Sequence, residues 1–261
     1  MLDEKYIIPS VDQACRLLHL LSRMQHRNKT FGEICKLLQT PRTTCLRLLK
    51  TLVAQGLVHY DERTRRYNLG PYLVVLGARA AESLDYLEIT KFAVTEVARK
   101  TGLTTVAAQR IRKDRLTYVV KEDSISNVHV TVSLGQQFPI DRGSFGKCFC
   151  AYMDDKELRD VAAERYGEVF ISELDQIRRQ GYALSYQEQV KGINGVAAPV
   201  FDSSGRVLLA IACIGIADQF PTDKMNECGE RLKEIAMRVT REMGGYFPEV
   251  EELTERAERL P

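Results

Sequence analysis

The chain has 261 residues, 44% of them apolar and 28% charged, a balance that suits folded domains rather than disorder and a length that favours about two of them. No run of ~18 apolar residues occurs, which argues against a membrane-spanning helix. The seven cysteines include no CxxC pair, which argues against a disulfide framework or a cysteine-based zinc site. The opening segment MLDEKYIIPS carries early acids and lacks the basic-then-apolar layout of a secretion signal, so a cytoplasmic protein is expected.

Net charge is only +2, but it is unevenly placed. Residues 1–79 hold thirteen Lys and Arg against six Asp and Glu, so +7 there leaves −5 for the rest. A basic head on a mildly acidic body fits a polyanion-binding module joined to one with another task.

In chain order, Ser10 is a candidate N-cap for a helix whose Ala14, Leu17, Leu18, Leu21 and Met24 share one face. Thr30-Phe-Gly-Glu33 has the spacing of a capping box and starts a second helix burying Ile34, Leu37 and Leu38. After a tight turn, Pro41 suits the first position of a third helix, with Cys45, Leu48, Leu49 and Leu52 as its buried stripe and Gly56 as its stop. Leu57–Tyr60 and Arg66–Gly70 read as two strands around the polar turn Asp61–Arg65.

A helix-turn-helix followed by a hairpin is a winged helix, whose second helix enters the major groove of DNA while the wing follows the backbone. On that reading Thr40, Arg42, Thr43, Thr44 and Arg47 open the recognition helix on the face its leucines leave free. Arginine there can pair with guanine edges, and threonine can donate to bases or phosphates. Lys50, Arg63, Arg65 and Arg66 are candidates for phosphate contacts. A solvated helix face, or a winged helix that binds protein or RNA, remains the alternative at this point.

Residues 86–245 read as mixed α/β. Strands are expected at Thr104–Gln109, Leu116–Lys121 and Val128–Leu134, and helices at Ser144–Met153, Asp154–Glu164 and Ser172–Gln180. A long hairpin turning at Asp202-Ser-Ser-Gly205 and a helix from Thr222 to about Met243 follow, before a charged tail at 248–261. An enzyme is the rival of another class. Cys148 and Cys150 beside Lys147, with His129, are the candidate thiol chemistry, but the i, i+2 spacing separates the two cysteines on a helix. The histidines His19, His26, His59 and His129 show no metal-ligand spacing, and no phosphate-binding glycine loop is present. Neither a catalytic residue, a metal nor a cofactor is expected.

The segment TPRTTCLRLLKTLVAQGLV with RRYNLGPYLVVLG resembles the recognition helix and wing exit of the IclR family of bacterial transcriptional regulators. PIDRGSFGKCFCAYM, with Gly146-Lys147, resembles that family's Gly-Lys helix. QGYALSYQEQVKGINGVAAPVFDSSGRVLLAIACIGI resembles its ligand-domain signature through Glu188, Gly192, the run Ala197–Asp202 and Gly215. The resemblance covers residues 8–245. It implies an α+β chain: an N-terminal winged helix-turn-helix at 8–70, a linker helix at 71–85, a GAF/PAS-like α/β effector-binding domain at 86–247, and the tail.

It also implies a homodimer or homotetramer on a palindromic or repeated double-stranded DNA operator, with no membrane role. Leu73, Val74, Leu76 and Ala80 of the linker would supply dimer contacts. By the same resemblance the effector site consists of Ser144, Phe145, Ser185, Ile193, Gly195, Ala212 and Ile214. The chain departs from the family here. An acid is common where Ser185 stands, a larger residue at Gly195, serines at Ala212 and Ile214, and alanine at Phe145. These changes favour a small organic acid of aromatic or apolar body over a strongly hydrophilic 2-oxo acid.

Overall fold

The computed structural model describes residues 7–23, 26–82 and 85–248, in two compact units that divide at residue 84. The expected tail beyond 248, and Met24, lie outside the described residues.

In the first unit, helix α1 spans Pro9–Ser22, α2 Phe31–Leu38 and α3 Arg42–Ala54. Strands β1 (Lys29–Thr30), β2 (Val58–Asp61) and β3 (Arg66–Leu69) form a small antiparallel sheet in the order β1-β3-β2, and α4 covers Tyr72–Glu82. Leu17, Leu21, Ile34, Leu38, Cys45, Leu49, Leu52 and Val58 close one core. Thr30 and Glu33 form the expected capping box: the Glu33 carboxylate accepts from the Thr30 amide at 2.8 Å while the Thr30 hydroxyl accepts from Glu33 N–H.

Two helix starts differ from the reading above, by two residues and by one. Ile8, not Ser10, is the N-cap of α1, because Pro9 is preset for the first helical turn. Pro41 stands just outside α3 with extended ψ, and Arg42 is the first helical residue. Strand β1 was not expected; two residues carry too little periodicity to be seen. It pairs Thr30 with Arg66 and so joins the start of α2 to the wing.

The second unit runs α5 (Asp85–Thr101), β4 (Thr104–Arg112), β5 (Arg115–Glu122), β6 (Gln137–Pro139), α6 (Gly143–Cys150), α7 (Asp155–Val161), α8 (Glu168–Gln180), β7 (Ala183–Tyr186), β8 (Ile193–Phe201), β9 (Val207–Ile216) and α9 (Thr222–Glu242). Its sheet has the order β6-β5-β4-β9-β8-β7, with antiparallel neighbours throughout. Helices α6, α7 and α8 pack on one face, and α5 and α9 on the other.

The segment Val128–Leu134 is not a strand. Val130 and Val132 turn inward and Thr131 and Ser133 outward, so its alternation is real. It is satisfied by packing on the α6 side of the core, with Val130 O accepting from the Thr104 hydroxyl, while the edge of β5 pairs with β6 instead. Helix α6 ends three residues sooner than expected, and α8 starts four residues sooner, after Gly167.

Candidate functional site

The apolar stripe of α3 faces the core of the first unit, which turns Thr43, Arg47 and Lys50 outward at i, i+4 and i+7. Arg42 is exposed too, its guanidinium 5.3 Å from the Phe31 ring centre. Thr44 is half-buried, and Thr40 directs its hydroxyl to the Leu38 carbonyl at 3.2 Å, within the turn.

The wing turn is organised by Asp61. The Thr64 hydroxyl and amide and the Arg63 amide donate to its carboxylate and hold it below the usual range. Arg65 takes a positive φ of 56° there, and both Arg63 and Arg65 project into solvent. Arg66 is placed differently. It donates to the Asn28 carbonyl and lies 3.8 Å from Glu33, so its charge braces the wing against α2.

In the second unit the seven candidate effector residues come together on one face of the sheet. Ser185, Gly195, Ile214 and Thr104 form a cross-strand row over β7, β8, β9 and β4. Ala212 pairs with Ala197 and Val106 one step along, and Ile193 lies toward the strand end. The first turn of α6 sits on this row: a Cβ at Gly195 would stand 3.0 Å from the Ser144 hydroxyl oxygen. A larger side chain at that position would press on Ser144. Arg142 precedes α6 without a side-chain cap on the first amides of the helix.

Five neighbours of this cluster were not assigned to it from the sequence. Phe145 lies 5.7 Å, ring to ring, from both Tyr118 and Phe138, which are themselves 4.5 Å apart. Burial pushes the Tyr118 hydroxyl up to about 12, and Gln189 hydrogen-bonds to it. Val130 and Val132 pack from the loop above. Ser144, Phe145, Ser185 and Ala212 are all buried, so the cluster is closed and mainly apolar, with hydroxyls and amides at the α6 end.

The conspicuous pair Gly146-Lys147 finds its role beneath this cluster. Lys147 is only 2% exposed, and its ammonium meets Glu188 at 2.5 Å, the Leu184 carbonyl at 2.7 Å and Glu173. Arg165 completes the network, 3.4 Å from Glu188 and donating to the Asp141 carbonyl at 3.0 Å. Four opposed charges thus pin α6 to α8 and to the turn before β8. The thiols beside Lys147 are core groups. Cys148 bonds to the Ala197 carbonyl and Cys150 to that of Ile140; burial pushes Cys148 well above the ordinary thiol range and Cys150 up to about 12. His129 lies on the exposed loop, its ring nitrogen 2.7 Å from the Ser126 carbonyl. Among the described residues no cluster of three or more His, Cys, Asp or Glu is placed to hold a metal, and no helix is long and apolar enough to cross a membrane.

Known proteins share this order of domains and this fold. Residues 10–62 match the IclR helix-turn-helix domain, and residues 78–241 match the Bacterial transcriptional regulator IclR C-terminal domain. The HTH-type transcriptional regulator KdgR of Escherichia coli is 28% identical over 241 residues, covering 87% of this chain and 89% of its own. A solved IclR transcriptional regulator from Alicyclobacillus acidocaldarius is 38% identical with a TM-score of 0.85, covering 92% of this chain and all of that one. An IclR homologue from Microbacterium hydrocarbonoxydans complexed with 4-hydroxybenzoate shares the fold, with a TM-score of 0.75 at 16% identity over 89% of this chain and 99% of its own. With a helix-turn-helix head, a sheet-and-helix body and both family domains matched in order, the chain belongs to the IclR family of bacterial transcriptional regulators.

Proposed function

We propose that residues 8–70 read operator DNA, that the helix within 71–85 supplies contacts between copies of the chain, and that residues 86–247 hold a small organic acid of aromatic or apolar body. The observation that carries the effector class is the cluster at the start of α6. Phe145, Tyr118, Phe138 and Ile214 offer an apolar enclosure, and Ser144, Ser185 and the uncapped α6 amides offer donors for a carboxylate at one end. The 4-hydroxybenzoate complexed with the Microbacterium relative likewise joins an aromatic ring to a carboxylate.

The DNA contacts are assigned to Arg42, Thr43, Thr44, Arg47 and Thr40 at the recognition helix, and to Lys50, Arg63 and Arg65 along the backbone. Arg66 acts mainly as a brace. A homodimer or homotetramer fits the exposed Val74, Val75 and Leu76 of α4 and the short reach of a single winged helix on a palindromic or repeated site. The protein works in the cytoplasm as a binding protein and catalyses no reaction, in keeping with its buried, protonated Cys148 and Cys150. The effector acts by binding two arrangements of the oligomer unequally; equal affinity would change nothing.

The test is calorimetric titration of the purified chain with 4-hydroxybenzoate, benzoate, pyruvate and glyoxylate, paired with gel shifts on the DNA beside its own gene. Tighter binding of the aromatic acids, with a change in retention, is expected. Tighter binding of glyoxylate or pyruvate overturns the effector class.

A further inference from the structure

Helix α5 has two unlike faces. Ala93, Val94 and Val97 enter the core of the second unit, while Glu88, Phe92, Thr95 and Arg99 form an outer stripe. The stripe advances by four, three and four residues, the spacing that keeps side chains in one line along a helix. Phe92, in its middle, is 75% exposed, and with Lys91 and Glu96 the stripe frames an open furrow along the helix. A single exposed ring needs no explanation by itself. The charges on either side of it do.

Along the helix Glu88, Lys91, Glu96 and Arg99 alternate in sign. A half-turn about an axis between Ala93 and Val94 exchanges Glu88 with Arg99, Lys91 with Glu96 and Phe92 with Thr95. Every charge then meets its opposite, and the ring meets a small side chain. A two-fold interface makes this demand, because where one residue meets a second, the second meets the first. A parallel partner would set Glu88 on Glu88 and Arg99 on Arg99, and a partner of uniform charge would match only half the stripe. Within the chain Glu96 already holds Lys100 at 2.7 Å and also Arg238, whereas no ion pair of Glu88, Lys91 or Arg99 occurs among the described residues. Glu88 and Arg99 therefore gain most from a partner.

We propose that the α5 faces of two copies of the chain pack antiparallel, with Phe92 of each copy against Thr95 of the other and Glu88 against Arg99 at both ends. The Thr95 hydroxyl keeps its bond to the Glu122 carboxylate of β5 at 3.2 Å, which turns its methyl group toward the ring. About three turns of helix bury less than the ~1,200–2,000 Å² of a stable interface, so the seam adds to contacts made elsewhere between copies. It rests on the reading of the chain as an oligomer and is separate from the contacts assigned to the helix within 71–85.

Sedimentation equilibrium of the full chain across a concentration series tests the seam, with circular dichroism to confirm that each variant folds. Glu88→Arg and Arg99→Glu each set like charges opposite one another at both ends and should weaken self-association at least about tenfold. The double variant E88R/R99E exchanges the two signs, leaves net charge unaltered, restores both pairs and should recover most of the loss. Phe92→Ala should weaken association as well, without altering its salt dependence. A parent chain that stays monomeric throughout would overturn oligomerisation as a whole. An oligomer indifferent to both single variants, or a double variant as weak as the two losses added together, would overturn the α5 seam alone.

Discussion

Gly146 passes so close to Ile140 that a Cβ at position 146 would stand 2.2 Å from the Ile140 carbonyl oxygen. That approach seats α6 against the chain leading into it and so sets the height of Ser144 and Phe145 over the sheet. Because the colliding atom is backbone, it cannot rotate away. Gly146→Ala should therefore destabilise the second unit by about 1–3 kcal/mol, the usual cost of overpacking, despite alanine's better helix propensity. Gly32→Ala is the matched control. No atom lies within 4 Å of its added methyl in α2, and a gain of up to about 1 kcal/mol is expected. Urea unfolding of both variants checks the contrast; equal shifts would show that the close approach carries no energy.

Lys147→Met removes a buried ammonium and leaves Glu173 and Glu188 facing one another. Breaking a buried pair by removing one partner costs ~3–5 kcal/mol, and the partly exposed carboxylates place this case toward the lower end. In the variant the two carboxylates keep only Arg165, 4.0 Å from Glu173 and 3.4 Å from Glu188, so adding Glu188→Gln to Lys147→Met should recover part of the loss in urea unfolding. Additive losses in the double variant would show that the network acts through packing alone.

These two sites mark where the sequence stopped being legible. The Thr30–Glu33 capping box, the α3 stripe and the Asp202–Gly205 turn depend on neighbours within a few residues, and local spacing reveals them. Lys147 meets Glu173 and Glu188 only through tertiary folding, so the Gly-Lys pair was conspicuous without a visible purpose. Val128–Leu134 shows the limit of periodicity. Alternation reports which side chains are buried, not which backbone groups are paired, and there the valines pack on a sheet face without joining the ladder. The proposed effector cluster came through family resemblance; Tyr118 and Phe138, which pack on Phe145 there, carry no local signal that separates them from ordinary core residues.

Glu33 gives a pH prediction for the first unit. Donation from the Thr30 amide, then the Thr30 hydroxyl, with Lys29 nearby, holds its carboxyl at about 2 against an ordinary 4.5. A depressed folded-state pKa stabilises above the unfolded value and is lost as pH falls through the folded one. The contribution should thus be complete above pH 4.5 and fade toward pH 2. Glu33→Gln keeps an oxygen acceptor but does not titrate, so circular-dichroism melts of parent and variant should differ most near neutrality and converge toward pH 2. Parallel melting curves across that range would remove Glu33 from the acid response.

The wing and recognition helix predict three different behaviours for three arginines. Arg47 projects from the free face of α3, so Arg47→Ala should cost roughly 1–3 kcal/mol of specific binding and relax the base preference at one position. Arg65 projects from the wing turn, and Arg65→Ala should weaken binding to all sequences alike and reduce the salt slope by about one unit. Arg66 is tied to Asn28 and Glu33, so Arg66→Ala should lower the melting temperature of the first unit while leaving the salt slope nearly unchanged. Gel shifts titrated with salt, on operator and random DNA, separate the three. A full-unit change in slope for Arg66→Ala, with unaltered melting, would make it a phosphate contact and not a brace. A loss confined to one base position for Arg65→Ala would move the wing from backbone contact to base reading.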